Sequence, residues 1–206
     1  TLHWHGLHVP PSMDGGPHQL IQPGSTWRPA FDIDQRAGTF WYHSHVHQAT
    51  GEQVYRGLAG MLLVEDGVAA RRGLPSEYGV DDIPLILTDR RFNADGSFAY
   101  VGMHRDIMMG VHGDTMLVNG SVNPQFEART QRVRFRVLNA CNARSMEIAC
   151  SDQRRFLLVG NDGGLLPEPV SVSAFVLAPS ERAELVLDVA DGTPVQLMGM
   201  PLSGSS

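Results

Sequence analysis

The stretch Gly38-Thr-Phe-Trp-Tyr-His-Ser-His45 carries most of the information in this 206-residue chain. Its aromatic and β-branched side chains favour a β-strand, in which alternate side chains share one face. His43 and His45 therefore project together. A second triplet, His3-Trp-His5, lies forty positions earlier and repeats the pattern. Two such strands side by side would bring four imidazoles together, an arrangement that favours a transition-metal ion without specifying which one.

The composition is that of a loop-rich globular protein. Hydrophobic residues make up 42% of the chain, with 22 glycines and 13 prolines, which predicts an all-β protein of one large domain or two modest ones. The net charge is −6, and all 16 basic residues are arginine. No basic run is present, so we expect no nucleic-acid partner. The longest apolar runs, such as 60–64, are too short to span a bilayer, so we expect no membrane span.

Short apolar runs alternate with turn-forming residues through a first block, residues 1–66. Within it the sequence predicts strands over 26–33, 39–45 and 58–65, and a helical turn over 50–57. Three to five strands are fewer than a closed barrel needs. We therefore expect this block to be a partial domain.

A linker rich in small and charged residues is predicted over 67–82, followed by a second block over 83–206. Regular short strands separated by Gly, Pro, Asn and Asp are typical of a β-sandwich or Greek-key barrel. The predicted strands of this block lie at 83–89, 115–118, 132–138, 146–150, 156–159, 172–177 and 183–189. Its two thiols, Cys141 and Cys150, are interpreted as small buried hydrophobic residues in preference to a disulfide.

Several motifs together resemble the multicopper oxidase family. Thr1-Leu-His-Trp-His-Gly-Leu, Met13-Asp-Gly-Gly-Pro and Ala37-Gly-Thr-Phe-Trp-Tyr-His-Ser-His-Val-His resemble the family's first domain. Gly113-Asp-Thr-Met-Leu-Val-Asn-Gly, Leu138-Asn-Ala-Cys-Asn-Ala-Arg-Ser and Asp162-Gly-Gly-Leu-Leu-Pro-Glu-Pro resemble its middle domain. The likeness is closest to the bacterial copper-tolerance branch, cuprous oxidases that also act as laccases. It implies two partial cupredoxin-like domains.

The resemblance also implies a role for each histidine of the two triplets. His3 would bind the type 2 copper of a trinuclear cluster, His5 and His43 one type 3 copper, and His45 the other. Asp14, in a turn-forming run, would help deliver protons for the reduction of dioxygen to water. The electrons would come from cuprous ions or a phenolic donor.

Other residues near these motifs are assigned ordinary roles. Five further histidines are expected to be solvated or to support the ligands: His8, His18, His47, His104 and His112. Three aromatic residues are expected to pack around the site: Trp4, Trp41 and Tyr42. Four methionines are expected to pack rather than to bind cuprous ions: Met103, Met108, Met109 and Met116.

A complete enzyme of this family also needs a type 1 copper, whose cysteine lies in a His-Cys-His run. Neither Cys141 nor Cys150 has an adjacent histidine. We therefore expect the type 1 site and the remaining cluster ligands in a C-terminal cupredoxin domain beyond this chain. The chain is accordingly expected to be an inactive fragment cut at both ends, and the family resemblance implies a periplasmic or secreted parent.

Three alternatives remain open at this stage. The histidines could form a structural zinc site or be ordinary surface residues. The parent could be a non-catalytic copper-binding protein that sequesters metal for resistance. It could also be a two-domain copper enzyme, such as a small laccase or a relative of nitrite reductase, if no His-Cys-His run follows.

Overall fold

Twelve strands, three short α-helices and one 3-10 helix (Pro11–Met13) lie within residues 1–202, the part of the chain that this computed structural model describes. The strands are β1 (His3–His5), β2 (Gly38–His43), β3 (Ala59–Val64), β4 (Asp82–Arg90), β5 (Thr115–Val118), β6 (Arg132–Asn139), β7 (Met146–Cys150), β8 (Phe156–Asn161), β9 (Gly164–Val172), β10 (Ala174–Leu177), β11 (Arg182–Asp188) and β12 (Leu197–Pro201). The helices are α1 (Thr50–Tyr55), α2 (Val68–Arg71) and α3 (His104–Met109). The all-β prediction is confirmed. Within residues 1–202, no helix has the length and apolar character needed to cross a membrane.

The first block forms a three-stranded antiparallel sheet in the order β1-β2-β3. The register pairs His3 with His43, and β2 pairs with β3 along its whole length. β2 is almost entirely buried, which explains its run of aromatic and β-branched residues. The central strand of this sheet therefore ends at the first histidine of one triplet, and its neighbour β1 carries the other triplet.

The second block forms a sandwich of two sheets. One has six strands in the order β5-β4-β6-β11-β8-β9, and the other has three in the order β10-β7-β12. All pairings are antiparallel except β4 with β6, which is parallel. Buried side chains from both sheets, among them Ile148, Phe156 and Leu185, form one hydrophobic core between them. Cys141 and Cys150 are free thiols buried in this core, so their interpretation as packed hydrophobic residues is confirmed.

The three-stranded sheet of the first block covers the outer face of the six-stranded sheet. Along β6, side chains alternate between the two faces: Val137 joins the sandwich core, whereas Leu138 packs against Trp41 of β2. The Thr39 hydroxyl of β2 also donates a 2.7 Å hydrogen bond to the Glu184 carboxylate of β11. The histidine-bearing strands therefore rest directly on the second block.

Buried ion pairs occupy the rest of this contact. Arg134 Nε donates to the Glu184 carboxylate at 3.2 Å, and Arg136 Nε donates to Asp82 at 2.8 Å. The same Arg136 guanidinium reaches Glu65, just after β3. Because both arginines are 2% exposed or less, these charges depend on their protein partners for compensation.

The strand predicted over 26–33 is wrong, because the segment forms no ladder with any described strand. Pro29 has no backbone N–H to donate, which weakens any pairing there. The segment instead packs through its aromatic rings. Trp27 and Phe31 lie with their ring centroids 6.4 Å and 5.7 Å from that of Trp4.

Other differences concern elements that the sequence pattern did not predict. Strands β9 and β12 were not expected, and β10 covers only part of the predicted strand over 172–177. β9 contains two prolines, which edge strands tolerate, and β9 lies at the sheet edge. Because prolines are also typical of loops, the sequence pattern did not identify this segment as a strand. Helix α2 lies inside the predicted linker over 67–82, and the division of the chain at that linker stays a prediction.

Candidate metal centre

Pairing of β1 with β2 brings the imidazoles of His3, His5, His43 and His45 together; we call these four residues the histidine cluster. The ring centroid of His3 lies 5.8 Å from that of His5 and 5.2 Å from that of His43. His45 follows the end of β2, yet its ring centroid is also 5.2 Å from that of His3. The four predicted ligands therefore lie close together, but His45 is not among the residues whose ligand atoms have the spacing of a common metal site.

Two of these rings have nitrogen atoms placed to share one ion. His5 Nδ1 lies 3.2 Å from His43 Nε2. For metal–nitrogen bonds of about 2.0–2.1 Å and tetrahedral angles, two ligand nitrogens lie about 3.3 Å apart. Ligand nitrogens of His3, His5 and His43 all lie within 4.8 Å of one another. This spacing fits chelation by His5 and His43, with His3 close by.

Backbone carbonyls fix which nitrogen two of the rings present. His43 Nδ1 donates to the Ser44 carbonyl at 2.7 Å, so its Nε2 lone pair is free for a metal ion. His3 Nδ1 donates to the Asp14 carbonyl at 3.3 Å and lies 2.9 Å from Asp14 Oδ1. The structure therefore places Asp14 against the outer edge of His3.

A glycine allows the Asp14 turn to approach β1 this closely. Gly15 has a φ of +66°, a conformation that side chains with a Cβ rarely adopt. A Cβ there would also collide with the Leu2 carbonyl group. Asp14 Oδ1 is buried beside His3 Nδ1, 2.9 Å away, and forms no well-aligned hydrogen bond with the described residues.

Two imidazoles of the cluster, those of His5 and His43, are held in the neutral state that binds metal ions. The pKa of His5 is lowered to about 4, first by burial and then by the positive charge of Arg182. The pKa of His43 is also lowered to about 4 by burial, although its hydrogen bond to Ser44 opposes the shift. Both rings are therefore uncharged at neutral pH, with a lone pair available.

An aromatic wall closes one side of the cluster. Trp41 is 4% exposed, and its ring centroid lies 4.2 Å from that of His43 and 5.0 Å from that of His5. Trp4 and Tyr42 pack against each other nearby, with centroids 6.2 Å apart. The predicted packing around the site is confirmed for Trp41, whereas Trp4 and Tyr42 alternate with the histidines along their strands and pack on the other face of the sheet.

The remaining sequence predictions divide between correct and wrong. Four of the other histidines are exposed and one, His112, is half-buried. The packing role expected for the methionines is wrong for three of them, because Met103, Met108 and Met109 are 56%, 69% and 63% exposed on or beside α3. The six-residue helix α3 is too short to bury its whole circumference.

Arg182 is a contributor to the site that sequence reasoning missed. It lies in β11 of the second block, and its Nε donates to the Thr39 carbonyl of β2 at 3.0 Å. Its Nη1 lies 3.0 Å from the Asp162 carboxylate. Its contact with a strand some 140 residues earlier in the chain depends on tertiary packing alone.

The donor set fits a transition-metal ion such as copper. All four candidate ligands are imidazoles, a ligand type that suits copper, zinc, iron and nickel. His45 Nδ1 is buried without a hydrogen-bond partner among the described residues. This is the state expected of a ring nitrogen whose partner is a bound group such as a metal ion. A buried imidazole nitrogen left unpaired is costly unless something binds it.

Comparison with known proteins places this geometry in a family. The family model described as multicopper oxidase matches residues 1–68. Cell division protein FtsP of Escherichia coli K12 is 42% identical over 192 residues, which cover 93% of this chain and 40% of that protein. The multicopper oxidase mco of Staphylococcus haemolyticus is 40% identical over 190 residues, 92% of this chain and 41% of that protein. The chain thus spans about two fifths of the length of these curated relatives.

Solved structures agree with the sequence relatives. The laccase-like multicopper oxidase CueO of Ochrobactrum sp. superposes with a TM-score of 0.92 at 42% identity, over 97% of this chain and 45% of that one. The multicopper oxidase McoA of Aquifex aeolicus gives a TM-score of 0.88 at 40% identity, over 96% of this chain and 45% of that one. These likenesses confirm the cupredoxin-like fold class. The chain belongs to the multicopper oxidase family.

Proposed function

We propose that this chain supplies half of the ligands of a trinuclear copper cluster in an oxidase that reduces dioxygen to water. The convergence of four imidazoles at the β1–β2 pairing is the observation that carries the proposal. Neutral imidazole holds both oxidation states of copper, and the low pKa values of His5 and His43 keep them neutral at physiological pH.

Each residue of the cluster has a proposed role. His5 and His43 would hold one type 3 copper, since their facing nitrogens are 3.2 Å apart. His3 would hold the type 2 copper and His45 the second type 3 copper, as the family resemblance implies. The chemistry that bound copper supplies is the four-electron reduction of dioxygen to water.

Asp14 is proposed to hold and pass protons at the edge of the cluster. Its Oδ1 lies 2.9 Å from His3 Nδ1 and forms no well-aligned hydrogen bond with the described residues. A carboxylate in this position can take a proton from water and release it toward the reacting oxygen. Trp41 contributes by excluding water from the faces of His43 and His5.

The rest of the enzyme is proposed to lie in a C-terminal cupredoxin domain, which would supply the type 1 copper and the remaining ligands. The donor would be a cuprous ion or a phenolic compound. The Ochrobactrum relative, described as having oxidase activity towards lignin model compounds, supports an aromatic donor. We also propose a periplasmic or secreted location, as the family resemblance implies.

A non-catalytic copper-binding role is the second candidate. It is favoured by the relatives named cell division protein FtsP, a name that describes no oxidation. The histidine cluster would bind copper under either proposal. The two therefore differ in whether the full-length protein consumes oxygen.

Oxygen consumption by the copper-loaded full-length protein tests the proposal. With a cuprous or phenolic donor we expect uptake of one dioxygen for every four electrons supplied, without release of peroxide. Asp14→Asn should lower the rate about 10²–10⁴-fold while the copper content is retained. Asp34→Asn, at an exposed position, is the matched control. A fully copper-loaded protein that consumes no oxygen would support the binding role instead.

A further inference from the structure

Two histidines outside the cluster also lie side by side. His18 follows the turn that contains Asp14, and His47 follows the second triplet. Their ring centroids are 5.3 Å apart with 47° between the ring planes. Neither ring takes part in a hydrogen bond or ion pair with any described residue, and both side chains are exposed.

The geometry of this pair repeats that of a ligand pair in the cluster. His5 and His43 have ring centroids 5.4 Å apart and 47° between their planes. Two imidazoles bound to one tetrahedral ion through bonds of about 2.0–2.1 Å have centroids about 5.2 Å apart. The centroid separation of the exposed pair therefore matches that expected for two imidazoles bound to one ion.

The backbone around the pair is fixed by hydrogen bonds. His47 N–H donates to the Pro17 carbonyl at 3.2 Å, which ties together the two segments that carry the rings. The Gln19 side chain accepts from Gly16 N–H at 2.6 Å and donates to the Pro11 carbonyl at 3.0 Å. A pair of ligands held on such a scaffold loses little conformational freedom when it binds an ion.

We propose that His18 and His47 form a surface site for a divalent transition-metal ion, with the remaining coordination positions filled by water. Two imidazole donors without a carboxylate or thiolate favour copper, nickel and zinc over magnesium or calcium. Cupric ion should bind most tightly, as expected from the general order of affinities of divalent ions. The site requires neither a copper cluster nor oxidase activity.

Metal titration of the full chain tests this site. The measurement uses a His3→Gln/His5→Gln/His43→Gln/His45→Gln background, so that no imidazole pair of the cluster competes for the ion. We expect cupric and nickel ions to bind there, and we expect either His18→Gln or His47→Gln to weaken binding about 100-fold, because each leaves a single imidazole. His104→Gln, which removes another exposed histidine, should leave the affinity unchanged.

A second measurement needs no substitution at the pair. In NMR spectra, substoichiometric cupric ion should broaden the ring protons of His18 and His47 together, before those of His104. Broadening of only one of the two rings, or affinities that change less than about threefold in either single variant, would overturn the proposal. Such a result would leave the histidine cluster and its proposed function unaffected, since that site is already disabled in the titration.

Discussion

Glu184 is predicted to be one of the most sensitive positions for folding. Its carboxylate is 0% exposed and lies between the six-stranded sheet and the sheet that carries the histidines. It accepts hydrogen bonds from Arg134 Nε at 3.2 Å and from the Thr39 hydroxyl at 2.7 Å. Glu184→Gln keeps the shape of the side chain but removes the carboxylate charge that lies nearest to the Arg134 guanidinium, which is 2% exposed. The more distant Asp82 carboxylate, 3.8 Å from Arg134 Nη1, then remains as its charge partner.

The size of the effect follows from burial. Removal of one member of a buried ion pair costs about 3–5 kcal/mol, a large fraction of the roughly 5–15 kcal/mol that stabilises a typical domain. For a chain of this length that loss corresponds to a fall in melting temperature of about 6–20 °C. Replacing both partners, as in Arg134→Met/Glu184→Leu, should recover part of the loss because no buried charge remains unpaired.

Thermal and denaturant unfolding of the variants measures this effect. Glu52→Gln is the matched control, because it breaks an ion pair with Arg56 at 2.8 Å whose side chains are about half exposed. That control should change the stability by less than about 0.5 kcal/mol. The reasoning is refuted if Glu184→Gln lowers the stability no more than Glu52→Gln does.

Three further predictions concern a carboxylate, a thiol and a turn. The pKa of Asp106 is lowered to about 2, chiefly by its 2.7 Å hydrogen bond from Arg91. The contribution of this carboxylate to stability should therefore be present above about pH 4 and be lost as the pH falls through 2. When the stability of Asp106→Asn is compared with that of the parent across this range, the difference should disappear in acid. Burial raises the pKa of the Cys141 thiol, so a thiol reagent at pH 8 should modify it only after denaturant is added, and rapid reaction of the native protein would contradict its burial. Gly15→Ala should destabilise the protein and weaken copper retention more than Gly24→Ala does. Both glycines have a positive φ, but only at Gly15 would an added Cβ also collide with backbone atoms. Equal effects of the two substitutions would show that the turn does not position the site.

The sequence predicted the parts of the fold whose signal is local. Strand β2 and helix α1 followed from composition and turn residues and lie where expected, within a few residues. β9 was missed because its prolines imitate a loop, and the segment over 26–33 was mistaken for a strand because its aromatic residues serve packing against Trp4 instead of sheet pairing. Composition alone does not show whether aromatic residues pair in a sheet or pack as side chains from a loop.

The candidate site likewise combines features that local sequence patterns predict with features that depend on tertiary packing. Alternation along a strand predicted that the histidines of each triplet project together, which holds for His3 and His5 in β1, and the register pairs His3 with His43. His45 joins the group from beyond the end of β2, which stops two residues before the end of the predicted strand. The roles of Arg182 and Glu184 depend on how the second block packs under β2, which no short-range pattern encodes. The pairing of His18 with His47 was missed for the same reason, because each histidine alone looks like an ordinary surface residue.

Copper retention is the most direct test of the central claim that the histidine cluster is a copper site. The protein is loaded with copper, dialysed against a chelator that strips exposed sites, and its metal content is measured. We predict that the parent and the His8→Gln control, altered at an exposed histidine, retain equal amounts of copper. His5→Gln/His43→Gln should retain much less, because it removes both members of the 3.2 Å nitrogen pair. Equal retention by that variant and the parent would contradict the claim.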